Sequence, residues 1–253
     1  MHDQLIQDNS SLQFHVRWFD HVDSTNTRLL EQVRLNPALT SGTVWAARTQ
    51  SAGRGRLDRK WVSSTGGNLL FSLYLRTAKE LCRLPSLAMA MAIALDEMLH
   101  GFNIHSKLKW PNDVLVRERK IAGLLAERAG DEGVVIGVGL NVNMTAAELA
   151  QIDQPATSLQ IETGSDWVVE DVFEMLLTKL FPPWLDRWES DGFSGLRERW
   201  MQGCDGLNTP LTVRDGESRI QGTLAGFGEN GELLLRLPDG VVQTVWAGDV
   251  VVS

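Results

Sequence analysis

The stretch Lys107-Leu108-Lys109-Trp110-Pro111-Asn112-Asp113-Val114-Leu115-Val116-Arg117-Glu118-Arg119-Lys120-Ile121-Ala122-Gly123-Leu124-Leu125-Ala126-Glu127 sets short apolar runs between turn residues. Lys107 to Trp110, Val114 to Val116 and Ile121 to Glu127 read as strands, and Val134 to Asn143 follows as another. Trp-Pro-Asn-Asp between the first two is a rigid turn, because Pro fixes φ while Asn and Asp bond to nearby backbone. Upstream, Pro85 to Phe102 is a buried helix rich in Ala, Met and Leu. Asn68 to Arg76 is a strand with Leu69, Phe71, Leu73 and Leu75 on one face, and Thr43 to Arg48 is another. Asp23-Ser24-Thr25-Asn26 caps an amphipathic helix, since side-chain oxygens there accept from orphan N–H groups. Downstream, Trp167 to Trp188 is largely helical with a break or kink expected at Pro182-Pro183, and Ser194 to Met201 is helical too. Strands and helices alternate irregularly, which argues for an α+β fold and against a doubly wound parallel sheet.

The chain changes character near Gly206. Leu211-Thr212-Val213, Leu233 to Leu237 and Val241 to Trp246 are separated by Asp215-Gly216, Asn230-Gly231 and Asp239-Gly240, dipeptides that favour hairpin turns. We expect about five short strands here, the size of an SH3-like β-barrel, and hence two units, residues 1–205 and 206–253. Residues 1–16 read as a short polar lead, too brief for a helix-turn-helix. No apolar core of a signal peptide is present at the start. Leu84 to Leu99, interrupted by Asp96 and Glu97, is too short for a bilayer. The 253 residues carry a net charge of −8, which weighs against a dedicated nucleic-acid binder. Cys82 and Cys204 lack metal or redox spacing and are expected as two buried free thiols of a cytoplasmic protein.

Three clusters carry candidate chemistry. Gln50-Ser51-Ala52-Gly53-Arg54-Gly55-Arg56-Leu57-Asp58-Arg59-Lys60-Trp61 combines glycines, which allow close backbone approach, with guanidinium forks suited to phosphate oxygens. It is neither a GxGxxG fingerprint, because Asp58 replaces the last glycine, nor a P-loop. In Lys109-Trp110-Pro111-Asn112-Asp113 with Lys120-Ile121-Ala122-Gly123, a lysine enters an apolar strand where its ammonium can neutralise a carboxylate or phosphate. Gly137 and Gly139, in Val134 to Asn143, allow close approach of a ligand or strand. Taken singly, each cluster reads first as structure: a solvated basic turn, a β-turn and a central strand. The histidines show no metal-ligand spacing, and most of the nine tryptophans are assigned to core.

Taken in order, Asp23-Ser24-Thr25-Asn26, Gln50 with Gly53-Arg54-Gly55-Arg56, Lys60-Trp61, Lys109-Trp110-Pro111-Asn112-Asp113, Lys120-Ile121-Ala122-Gly123 and Gly137-x-Gly139-Leu140-Asn141-x-Asn143 resemble the biotin protein ligases, from about residue 17 to the C-terminus. The resemblance implies a mixed-sheet catalytic domain of the class II synthetase kind, followed by a small SH3-like domain. It implies an enzyme that uses ATP and Mg²⁺ to make biotinyl-5′-AMP, then passes biotin to a lysine of a biotin carboxyl carrier protein of acetyl-CoA carboxylase. On this resemblance Ser24, Thr25, Asn26, Gln50, Arg54, Gly55, Arg56 and Lys120 meet biotin. Trp61, Asn112 and Asn141 belong to the adenylate site. Lys120, Arg54, Arg56 and Asp113 serve catalysis, Asp113 as the group that orients or deprotonates the acceptor lysine. No residue is assigned to a metal. The family's N-terminal DNA-binding repressor module is not expected here, a homodimer through the sheet is, and no membrane contact is implied. A lipoate or octanoate ligase, which lacks the Gly-Arg-Gly-Arg loop, and a non-catalytic biotin-binding regulator are the competing readings.

Overall fold

Alternation along Asn68–Arg76 fixes how the main sheet is covered, because successive side chains point to opposite faces. The computed structural model describes residues 2–7, 12–57, 59–64, 66–77 and 83–252. The chain runs β1 (His2–Gln7), β2 (Gln13–Val22), α1 (Thr25–Leu35), β3 (Thr43–Gln50), β4 (Asn68–Arg76), α2 (Leu84–Gly101), β5 (Ser106–Lys109), β6 (Asp113–Val116), β7 (Arg119–Arg128) and β8 (Gly133–Asn141). Two short helices, α3 (Ala146–Leu149) and α4 (Leu159–Thr163), precede α5 (Val169–Met175), α6 (Phe181–Asp191) and α7 (Ser194–Gly203). The tail adds β9 (Pro210–Asp215), β10 (Ser218–Phe227), β11 (Leu233–Arg236), β12 (Val242–Val245) and β13 (Asp249–Val252).

The first eight strands form one sheet in the order β1-β2-β3-β4-β8-β7-β6-β5. All neighbours are antiparallel except β2 and β3, which are parallel and joined through α1. A parallel pair needs a crossover of this kind, and it makes the sheet mixed. Leu69, Phe71, Leu73 and Leu75 of β4 all enter the main core, with α2, α5, α6 and α7 above them. Phe71 meets Phe173 of α5 edge to face at 5.2 Å. On the opposite face Tyr74 and Val135 pack with Leu29 and Val33 of α1 in a separate small core. Buried Asp96 of α2 ties α2 to β5 and α7, accepting from Ser106 Oγ at 2.6 Å and from Arg199. No helix among the described residues is long and apolar enough to cross a membrane.

Two expectations need correcting. The polar lead contains β1, which pairs with β2 from His2↔Trp18 to Gln7↔Gln13. An edge strand with one wet face carries few apolar residues, so its composition imitates a loop. The helix does not break at Pro182-Pro183, which open α6; the irregularity lies upstream as a π-helical turn, Leu176–Leu180. Two prolines offer no N–H to the carbonyls of Thr178 and Lys179, so the turn before them loses its α register. Cys204 is a free, partly buried thiol, pushed up to about 12 by burial. Cys82 lies outside the described residues.

The tail forms a five-stranded antiparallel sheet, β12-β11-β10-β9-β13. Strand pairing leaves β12 and β13 as edges. Trp110 Nε1 donates to Gly231 O at 2.9 Å, and Phe227 packs edge-on against Phe193 and Trp200. These contacts seat the tail on α7 and the β5–β6 turn, with β13 beside the Gly/Arg loop.

Candidate functional site

The sheet face beneath the N-terminus of α1 is bare because glycines occupy it. Gly123 pairs with Gly139 across β7 and β8, and Leu70 and Ser72 of β4 pair with Gly139 and Gly137. Side chains standing on that floor use the space a methyl group would fill. A Cβ on Gly139 would lie 2.3 Å from Trp61, and one on Gly137 2.4 Å from Asn26 Oδ1. Above the floor is a cavity of about 550 Å³. Every site residue expected from the sequence borders it except Asn141.

One end of the cavity is a hydrogen-bonded polar group. Ser24 caps α1, its hydroxyl accepting from Thr27 N at 3.4 Å. Gln50 Oε1 accepts from Thr25 N at 2.6 Å. Ser72 Oγ lies 2.7 Å from Thr25 Oγ1 and 2.5 Å from Asn26 Oδ1. Asn26 Nδ2 donates to Glu127 Oε2 at 2.9 Å and to Leu125 O at 3.2 Å.

The other end is charged. Lys120 Nζ forms an ion pair with Asp113 Oδ1 at 2.6 Å and sits 5.6 Å from the Trp61 ring centre. Trp61 Nε1 is buried without a protein partner, which leaves a donor for a ligand. Burial pulls the Arg56 guanidinium below the usual arginine range, partly offset by the nearby charge of Asp113. Arg56 donates to Asn112 Oδ1 at 3.4 Å and Gly248 O at 3.2 Å. Asn112 in turn donates to Leu124 O.

Between these ends the Gly/Arg loop is a small hairpin. Trp61 N donates to Gly53 O at 2.9 Å and Gly55 N to Arg59 O at 2.7 Å. Leu57 at its tip has a φ of +52°, strained for a residue with a Cβ. Arg54 pairs with Glu127 and Arg59 with Asp249. The loop also walls a second cavity of about 720 Å³, on the side of Trp246. Asn141 lies under the site with both ends of its amide committed: its Oδ1 accepts from Asn68 at 3.0 Å and its Nδ2 donates to Thr157 O at 2.9 Å.

Glu127, Ser72, Asp249 and the segment Gln151–Gln154 escaped the sequence reading. Glu127 closes the quoted stretch, and its place on the same strand as Lys120 was the signal that could have found it. Nothing local marks Ser72 or Asp249. Gln151–Gln154 borders the cavity because the chain after it lies against β7, where Lys120 N donates to Pro155 O at 2.8 Å. Among the described residues no three His, Cys, Asp or Glu side chains converge as a metal site.

Residues 18–143 match the Biotin/lipoate A/B protein ligase family. The biotin–[acetyl-CoA-carboxylase] ligase of Paracoccus denitrificans is 36% identical over 228 residues, covering 86% of this chain and 92% of that protein. The bifunctional ligase/repressor of Escherichia coli is 32% identical over 234 residues, 90% of this chain and 71% of that one. The Aquifex aeolicus biotin protein ligase, solved with biotin and ATP, superposes with a TM-score of 0.77 at 31% identity, covering 94% of this chain and 98% of that one. With a relative above 30% identity aligned over nearly its whole length, and the same fold in a solved biotin protein ligase, the chain belongs to the biotin protein ligase family.

Proposed function

We propose that this enzyme activates biotin with ATP to biotinyl-5′-AMP and transfers the biotinyl group to a lysine of a biotin carboxyl carrier protein. The observation that carries the reading is one cavity with hydrogen-bonding groups at one end and Lys120, Arg56 and Trp61 at the other. The first end suits a ureido ring, since a buried polar site rejects analogues that leave its groups unpaired. The second suits a carboxylate meeting an α-phosphate.

A carboxylate is a poor acyl donor. Its oxygen attacks the α-phosphorus of ATP, the bond to the bridging oxygen breaks, and pyrophosphate leaves. Two unit charges about 4 Å apart repel by about 4 kcal/mol at an effective dielectric of about 20, so cations must stand at the meeting point. Lys120 and Arg56 occupy that end, with Arg54 on the same loop. Asp113, Asp249 and Glu127 hold these charges in internal pairs. Mg²⁺ would be carried by the ATP phosphates, as is usual for an ion that keeps most of its water; among the described residues no three His, Cys, Asp or Glu side chains converge to hold it.

The Gly/Arg hairpin lies over the cavity and keeps water from the anhydride. In transfer, a neutral lysine amine attacks the biotinyl carbonyl carbon, AMP leaves, and the amine loses a proton. Asp113, freed once Lys120 holds the adenylate, orients that amine and takes the proton. The net charge of −8 supports a protein acceptor rather than DNA. The five-stranded tail is read as an SH3-like unit open between β12 and β13, and residues 206–253 as the domain that carries it.

The test mixes protein, biotin, Mg²⁺ and α-³²P-ATP without acceptor. A biotin-dependent adenylate that is lost in Lys120→Ala supports the reading. An adenylate formed with lipoate but not with biotin overturns it.

A further inference from the structure

Glu127 and Ser72 join the two ends of the polar group into one chain, running Arg54–Glu127–Asn26–Ser72–Thr25–Gln50. The direction of each bond follows from donor and acceptor capacity. Glu127 uses its oxygens separately, Oε1 on Arg54 and Oε2 on Asn26 Nδ2. Leu125 O takes the second Asn26 proton. With both amide protons directed at acceptors, Asn26 Oδ1 must face Ser72 and can only accept. Ser72 has one proton and gives it to Asn26; the Thr25 hydroxyl proton lies within reach of two acceptors, Ser72 Oγ at 2.7 Å and Gln50 Oε1 at 3.1 Å, and ties both to the same group. Gln50 Oε1 is then held by Thr25 N, which turns the Gln50 Nε2 protons toward the remaining space beside Gly53.

We propose that Glu127, acting with Ser72, is a positioning residue that sets the donor and acceptor polarity with which the pocket meets the substrate ring and fastens Arg54 of the Gly/Arg loop over it. Both are removed from the reacting phosphate and carboxylate end, where Lys120, Asp113 and Arg56 lie. Glu127 belongs to β7, the strand that also carries Lys120, so one rigid element indexes ring recognition against the reacting end. A wrong amide orientation at Asn26 would aim a donor at Ser72 and leave the Glu127 carboxylate facing a carbonyl oxygen. An unpaired buried group of this sort weakens binding by more than the bond it replaces contributes. This inference rests on the ligase reading for the identity of the ring.

The experiment measures adenylate formation by wild type, Glu127→Gln, Ser72→Ala and the double variant, with biotin and with 2-iminobiotin, in which an imine replaces the ureido oxygen. For each single variant the expected result is a rise in KM for biotin of about ten- to hundredfold, with kcat at saturation within about twofold. Discrimination against 2-iminobiotin falls in parallel. In the double variant the effects are less than additive, as for members of one network. Glu127→Asp, with the charge kept on a shorter arm, recovers part of the loss at Arg54. A fall in kcat with KM and discrimination intact would overturn the proposal, as would strictly additive losses or an unchanged KM in both single variants. Equal urea midpoints for all four proteins keep folding out of the comparison. If wild type activates lipoate and not biotin, the ligase reading fails; Glu127 is then judged by the same KM split and coupling with lipoate.

Discussion

The two faces of the central strands β4, β7 and β8 differ in what their side chains do. On one face Leu73, Ile136, Val138, Leu124 and their neighbours are buried in the main core against α2, α5 and α6. On the other face the same strands present Ser72, Gly123, Gly137 and Gly139, and the space left open is the cavity. The first face is covered by side chains that are almost wholly buried, and that burial stabilises the fold. The second gives up burial so that Trp61, Asn26 and Lys120 can stand on bare backbone. Because strand side chains alternate, stability and function are written into odd and even positions of the same segments, and a substitution one residue along should change which of the two is lost.

Leu73→Ala tests the filled face and should give the largest effect. Leu73 is fully buried, and removing such a side chain leaves a cavity that costs about 2–5 kcal/mol. We expect a urea midpoint lowered accordingly, with adenylate formation per folded molecule nearly unchanged. Lys120→Ala tests the open face. Losing a cation aimed at developing charge lowers kcat by about 10²–10³-fold, while the Asp113 carboxylate loses its partner and the unfolding midpoint moves little. Equal loss of stability in both variants would break the comparison.

Gly139→Ala sharpens it with one methyl group. Gly139 lies in β8 between Val138 and Leu140, both core residues, yet its own Cβ would sit 2.3 Å from the Trp61 ring. Overpacking of this kind costs about 1–3 kcal/mol if nothing yields. Trp61 is on a loop, and the indole should yield by swinging out, taking its stacking with Lys120. We expect KM for ATP to rise by about tenfold, with Trp fluorescence shifted to the red. An unshifted spectrum with normal kinetics would mean that the glycine floor is not what seats Trp61.

Most of the strands and long helices were legible because hydrophobic period reports burial directly. Asn68–Arg76 and the run from Lys107 to Asn143 fall on β4 and β5 through β8 within two residues. The edge strand β1 was not, since an edge with a wet face has no distinctive period, and α3 and α4 were too short to show one. In the site, motif residues were visible because they cluster in sequence. Ser72 looked like any polar residue inside an apolar strand, and only register places it opposite Gly137, under Asn26. Asp249 is almost two hundred residues from its partners Arg56 and Arg59, a contact made by how the tail sits on α7 and the β5–β6 turn, which no local pattern encodes.

Asp249→Asn tests a contact that belongs to neither sheet face, and its effect should be the smallest. The carboxylate lies beside Arg59 and 3.8 Å from Arg56, and Gly248 O accepts from Arg56 at 3.2 Å. Arg59 is more than half exposed and Asp249 about a quarter, so screening by water holds the pair to roughly 0–1 kcal/mol and stability should not change measurably. Arg56 keeps its bonds to Gly248 O and Asn112 in the variant, so it stays near the cavity. What is lost is the ionic part of the link between hairpin and tail, which leaves the Arg56–Gly248 bond to hold it and would let the hairpin open more often. The expected signature is a shorter lifetime of enzyme-bound adenylate, by about two- to fivefold for roughly 0.4–1 kcal/mol, seen as AMP release without acceptor. Raising salt on the wild type should reproduce part of that leak, because exposed pairs are screened. A lifetime insensitive to both the substitution and salt would leave the hairpin held by Arg54–Glu127 and the Arg56–Gly248 bond, and the Asp249 carboxylate without a part in closing the site.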